Sequence, residues 1–130
     1  MRVFLVRHAE AAPGEPDELR RLTPRGRDQA RELGRRLARD GVHADAVLSS
    51  PLLRARETAE AIAKELGADS EPDDRLGPGC TPEALRDTVR DRGETVVTVA
   101  HQPDCGRIAA ALSGGEEPPF PAGGVVEVQL

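Results

Sequence analysis

The chain has 130 residues, with 18 Lys+Arg against 23 Asp+Glu, a formal net charge of −5 and 38% hydrophobic residues. That size and balance fit one ordinary soluble domain spanning residues 1–130, leave no room for a second, and argue against a nucleic-acid-coating protein. Phe4 and Phe120 are the only aromatic residues, so Leu, Val, Ile and Ala must build the core, and platforms for stacking single-stranded bases are absent.

Val3 to Val6 form a continuous apolar run, the pattern of a strand buried on both faces of a parallel sheet, and the run stops at Arg7-His8. Its shortness excludes a signal h-region or a membrane span and makes the cytoplasm the expected location. Ala9 to Leu22 holds Pro13, Gly14 and Pro16 and reads as a loop. Thr23-Pro24 offers an N-cap and a first-turn proline for a helix reaching about Arg39, with Ala30, Leu33, Leu37 and Ala38 inward. Arg31, Arg35 and Arg39 repeat on another face of it, which reads as solvated surface and gives only a weak hint of a docking face for an acidic phosphoprotein.

Asp45 to Ser49 reads as a second short buried strand, and Ser50-Pro51 as the cap and first turn of a helix with Leu52, Ala55, Ala59, Ile62, Ala63 and Leu66 inward and Gly67 at its end. A weak extended piece follows near Ala68 to Glu71, and a third helix is expected from Thr81-Pro82 to near Gly93. Thr95 to Ala100 is the clearest β-branched strand and ends at His101-Gln102-Pro103. Asp104 is the expected cap of a fourth helix, which stops at Gly114-Gly115; Val126, Val128 and Leu130 then alternate with polar residues in a last strand suited to an edge and open to antiparallel pairing. Alternating strands and helices predict an α/β fold: a single three-layer α/β/α domain with a mainly parallel sheet.

Ligands of open α/β sheets bind outside the carboxyl ends of the strands. Three strands here lead into Arg7-His8, into Ser49-Ser50-Pro51 and Arg54, and into His101. Two arginines offer forked donors for phosphate oxygens, and two imidazoles offer a nucleophile and a further donor. Helix N-termini after Ser50 and Pro103 would add N–H groups at the same place. This set suits a phosphoryl dianion and needs neither metal nor cofactor. The three histidines lack zinc-ligand spacing, and His43 reads as an ordinary loop residue. Cys80 and Cys105 lack C-x-x-C spacing, which suits a reducing compartment.

LVRHAEA at Leu5 to Ala11, SSPLLRARETA at Ser49 to Ala59 and VAHQP at Val99 to Pro103, in that order, resemble the histidine phosphatase superfamily, the phosphoglycerate mutase-like fold. The short chain and R-x-L-T-x-x-G at Arg20 to Gly26 look like its SixA-type phosphohistidine phosphatases. The resemblance implies that His8 is the phosphorylated nucleophile and that Arg7, Arg54 and His101 clamp the phosphoryl group. It also implies an extra basic residue near the pocket, here Arg20 or Arg21. Ala9 and Ala100 replace two usual glycines. The glutamate that many ester-cleaving relatives carry as proton donor is missing, since the corresponding stretch is Arg75-Leu76-Gly77-Pro78. Glu10, Asp17, Glu18 and Glu83 remain candidates for that role. The expected substrate is a phosphohistidine-bearing protein, with no nucleic acid or membrane as partner. Two readings stay open beside it: a phosphatase of small phosphate monoesters, and a non-catalytic module that binds a phosphorylated ligand.

Overall fold

The computed structural model describes all 130 residues. The first apolar run forms β1 (Arg2–Arg7), followed by α1 (Pro24–Arg39), β2 (Ala46–Ser49), α2 (Leu53–Leu66), β3 (Ser70–Pro72), α3 (Pro82–Val89), β4 (Thr95–Ala100), α4 (Asp104–Ser113) and β5 (Val125–Gln129). Short 3₁₀ turns lie at Asp17–Leu19 and Asp74–Leu76. The sheet order is β3-β2-β4-β1-β5, with β5 antiparallel to β1 and every other pairing parallel.

The alternation of side chains along each strand splits the core in two. Val3, Leu5, Ala46, Leu48 and Val96 pack with Leu85 and Val89 of α3 and Ile108 of α4. Phe4, Val6, Val47, Val97 and Val99 pack on the opposite face with Leu33 and Leu37 of α1 and Ala55, Ala59 and Ile62 of α2. The three layers expected from the alternation of elements are therefore present, and β1 and β4 lie side by side near the middle of the sheet.

Local chemistry sets the helix ends. Thr23 Oγ1 accepts from Gly26 N at 2.9 Å, with Pro24 in the first turn of α1. Gly67, at φ 67°, ends α2 in the left-handed conformation that glycine adopts without strain. Gly26 lets α1 come close to the loop after β1, because a Cβ there would overlap the Glu10 carbonyl.

Three boundaries differ from the sequence-based expectation. The second helix begins at Leu53, and Ser50 is not its N-cap; its hydroxyl turns instead to His101. Asp104 does not cap the fourth helix: its carboxylate accepts from Gly79 N at 2.7 Å, while Gln102 Oε1 accepts from Gly106 N. The third helix stops at Val89, since Arg90 turns extended (φ −57°, ψ 132°) and Asp91 enters φ 61°. The Asp45 carboxylate fixes the return by accepting from Glu94 N and Thr95 N.

Candidate active site

The parallel register of β1, β4 and β2 gathers the site. Arg7 lies opposite Ala100, and Ser49 opposite Val99. One residue further on, His8 N donates to Ala100 O at 3.1 Å and Ser50 N donates to Val99 O at 2.9 Å. His8, Ser50 and His101 therefore leave the sheet together at its carboxyl edge, the position expected for a ligand site in this architecture. The His8 and His101 rings have centroids 5.2 Å apart.

His8 Nδ1 lies 2.8 Å from the carbonyl oxygen of Ala9. A carbonyl only accepts, so Nδ1 carries the proton and Nε2 keeps its lone pair. Burial pushes the His8 pKa down, opposed by the Ala9 hydrogen bond and reinforced by the charges of Arg54, Arg7 and Arg20. His101 is 5% exposed and pairs through Nε2 with Ser50 Oγ at 2.7 Å. Burial, then the neighbouring His8 and Arg54, bring its pKa down to about 4. Both imidazoles are thus neutral near pH 7.

The guanidinium groups differ in how they are held. Arg7 Nη1 donates to Phe120 O at 2.9 Å, while its buried Nε has no hydrogen-bond partner. A buried donor left unpaired is costly. Arg54, in the first turn of α2 and 7% exposed, donates through Nη1 to Asp17 O at 3.0 Å and through Nη2 to Asp17 Oδ2 at 3.3 Å. Thr58, one turn further along α2, ties the helix to the loop after β1: Oγ1 accepts from Ala9 N at 3.0 Å and donates to Arg54 O at 2.8 Å.

The sequence-predicted quartet Arg7, His8, Arg54 and His101 thus converges. Arg20 stands at the rim, bound to Asp17 Oδ1 at 3.1 Å and to Ala12 O at 2.9 Å, close enough for its charge to act on His8. Arg21 is exposed, as is His43. Among the proposed acids, Glu10 accepts from the Thr23 hydroxyl at 2.9 Å, and Glu18 and Glu83 are exposed. Asp17 is the one that touches the clamp. In the Arg75-Leu76-Gly77-Pro78 stretch, Leu76 is fully buried and Arg75 pairs with Asp73. Sequence reasoning missed the roles of Ser50, Thr58 and the Phe120 carbonyl; for Ser50 the available signal was its place at the end of a strand beside two others that carry chemistry.

Three arginines along α1 are engaged: Arg31 with Asp28, Arg35 with Glu65 and Arg39 with Glu32. Beside them runs the largest surface hollow, a groove of about 450 Å³ between α1 and α2 lined by Arg27, Arg31, Arg35, Glu57, Glu60 and Lys64 among others. It lies apart from the imidazoles, since neither His8 nor His101 lines it. No group of three His, Cys, Asp or Glu side chains is placed to hold a metal ion, and no helix is long and apolar enough to cross a membrane.

Two guanidinium groups and two neutral imidazoles at the carboxyl edge of a parallel sheet form a constellation chemically suited to an oxyanion. Residues 3–77 match the histidine phosphatase superfamily (branch 1). The phosphohistidine phosphatase SixA of Escherichia coli (strain K12) is 32% identical over 138 residues, covering 100% of this chain and 86% of that protein. A solved structure of the protein histidine phosphatase SixA complexed with tungstate superposes with a TM-score of 0.90 at 30% identity, covering 100% of this chain and 88% of that one. The mitochondrial serine/threonine-protein phosphatase Pgam5 of Drosophila ananassae is 46% identical over 70 residues, 53% of this chain, and the match spans only 24% of that protein. The chain belongs to the histidine phosphatase superfamily.

Proposed function

We propose that the protein is a phosphohistidine phosphatase that passes the phosphoryl group through His8, with the whole of residues 1–130 acting as one catalytic unit in the cytoplasm. Nε2 of neutral His8 attacks phosphorus in line, forming a P–N bond as the bond to the substrate imidazole breaks, that ring leaving neutral because its other nitrogen has been protonated by water. Arg7, Arg54 and His101 hold the equatorial oxygens, where charge accumulates, and Arg20 adds positive charge from the rim. Water then attacks phosphorus, the P–Nε2 bond breaks, and inorganic phosphate leaves. The arginines supply the electrostatic stabilisation, so the reaction proceeds without a metal or cofactor.

The observation that carries the substrate reading is the lack of a free carboxylic acid beside the clamp: the one candidate acid that touches it, Asp17, is ion-paired with Arg54. An ester expels an alkoxide nearly as basic as hydroxide, whose conjugate acid has a pKa of about 15.7, so a proton donor matters. A phosphohistidine that has taken up a proton from water on its other ring nitrogen expels neutral imidazole, whose conjugate acid has a pKa of about 6.5. The likeness to a relative named as a phosphohistidine phosphatase points the same way.

The test is turnover, after EDTA treatment, of one phosphohistidine protein and a panel of phosphate monoesters, with His8→Ala in parallel. The expected result is a strong preference for phosphohistidine that the variant loses. Faster monoester hydrolysis would make this a small-molecule phosphatase with an unrecognised donor, and no turnover of either would leave a binding module.

A further inference from the structure

We propose that Asp17 is a built-in counter-ion that occupies Arg54 in the free enzyme, yields it to the incoming phosphoryl group, and so weakens the hold on product phosphate. The inference rests on the phosphatase reading above.

The two arms of the clamp are unlike. Arg7 meets only a neutral carbonyl and keeps a buried donor open, whereas Arg54 meets both the carbonyl and the carboxylate of Asp17. A guanidinium buried to this extent without an anion is costly, so the contact stabilises the free state. Three features make it reversible. Asp17 sits on a short turn whose residues are all exposed, and its side chain is 54% exposed, so it can move without disturbing the core. Arg20 grips the other carboxylate oxygen and offers Asp17 a second partner when Arg54 is taken. A phosphoryl dianion carries more charge, on more oxygens, than one solvated carboxylate, and prevails at a guanidinium fork. The Arg20 hydrogen bond, helped by Arg54, holds the Asp17 carboxyl below the usual carboxylate range, so the counter-ion is charged near neutral pH and serves as an anion, not as a proton donor.

The consequence is a trade. Arg54 stays oriented between turnovers, and the energy of displacing Asp17 is subtracted from binding of substrate and of inorganic phosphate alike. The experiment is calorimetric titration of inorganic phosphate and tungstate into wild type, Asp17→Asn and Asp17→Ala, together with KM and product inhibition. Removing the charge should tighten phosphate binding by about three- to tenfold and lower KM in parallel. A gain in affinity is a result that mere damage to the loop does not give, and Asp17→Asn keeps an oxygen able to accept from Arg54. Wild type that binds phosphate, with variants that bind it equally or more weakly, would overturn the counter-ion. Unchanged phosphate affinity with selective loss of ester turnover would overturn it too, making Asp17 an acid–base group. Wild type that binds neither anion would overturn the phosphatase reading itself.

Discussion

The imidazoles of His8 and His101 face each other at a centroid distance of 5.2 Å and a tilt of 58°, at the ends of two adjacent parallel strands. Neither ring is free to rotate, since His8 is held at Nδ1 by its neighbour's carbonyl and His101 at Nε2 by Ser50. The site is therefore preorganised for a group that sits between two neutral rings.

That neutrality sets the pH dependence of the reaction. The His8 pKa lies below the ordinary 6.5, so Nε2 keeps its lone pair throughout the neutral range. The acid limb of kcat/KM for a phosphohistidine substrate should lie below pH 6.5 and steepen only there. A limb centred above 6.5 would show that protonated His8 is the resting form and contradict the assignment.

Ser50 should matter through His101. Replacing Ser50 with Ala removes the 2.7 Å partner of a buried ring nitrogen, at a cost of about 1.4 kcal/mol or tenfold in kcat/KM. Steady-state kinetics check this, with Ser50→Thr, which restores a hydroxyl, expected to recover part of the loss. Equal activity of wild type and Ser50→Ala would show that His101 is held by packing alone.

Buried His101 also links stability to pH. Its pKa is lowered in the folded state, so the unfolded chain takes up the proton first; stability is full above the ordinary value of 6.5 and is lost as pH falls toward about 4. The full shift corresponds to about 3 kcal/mol, and below pH 4 this group causes no further loss. Urea unfolding between pH 7.5 and 4.5 should fall more steeply for wild type than for His101→Gln. Parallel pH slopes would remove His101 as the cause.

Gly26 makes a steric prediction. A methyl group there would overlap the Glu10 carbonyl oxygen, and Glu10 lies two residues beyond His8. Gly26→Ala should cost about 1–3 kcal/mol of stability by overpacking and lower kcat as the His8 loop shifts. Denaturant midpoints and turnover, measured together, test both halves; a fully stable, fully active variant would mean that the loop has slack.

How far this was legible in the sequence depends on where each side chain spends its hydrogen bonds. Val3 to Val6, Thr95 to Ala100 and the Thr23-Pro24 start are determined within their own segments, and the structure agrees with them. Ser50 and Asp104 have the chemistry of helix caps, yet Ser50 bonds His101 and Asp104 bonds Gly79. Those partners lie on other elements, where a local pattern carries no information. The early end of α3 is similar, since the turn at Asp91 to Gly93 is followed by Glu94, whose N–H is held by Asp45 at the end of the distant α1–β2 connection. The quartet itself was readable because its members stand next to strand ends, whereas the Asp17 to Arg54 contact spans a loop whose path no periodicity predicts.

The Phe120 carbonyl has a wider implication for engineering. The Glu116 to Pro119 approach is mostly exposed, whereas Phe120 is anchored in the core and Gly123 and Gly124 bond the backbone around Arg7 and His8. Length is therefore negotiable on one side of Phe120 and fixed on the other. A recognition peptide grafted before it would ride at the edge of the domain, while the same graft two residues later would pull the phosphate clamp apart.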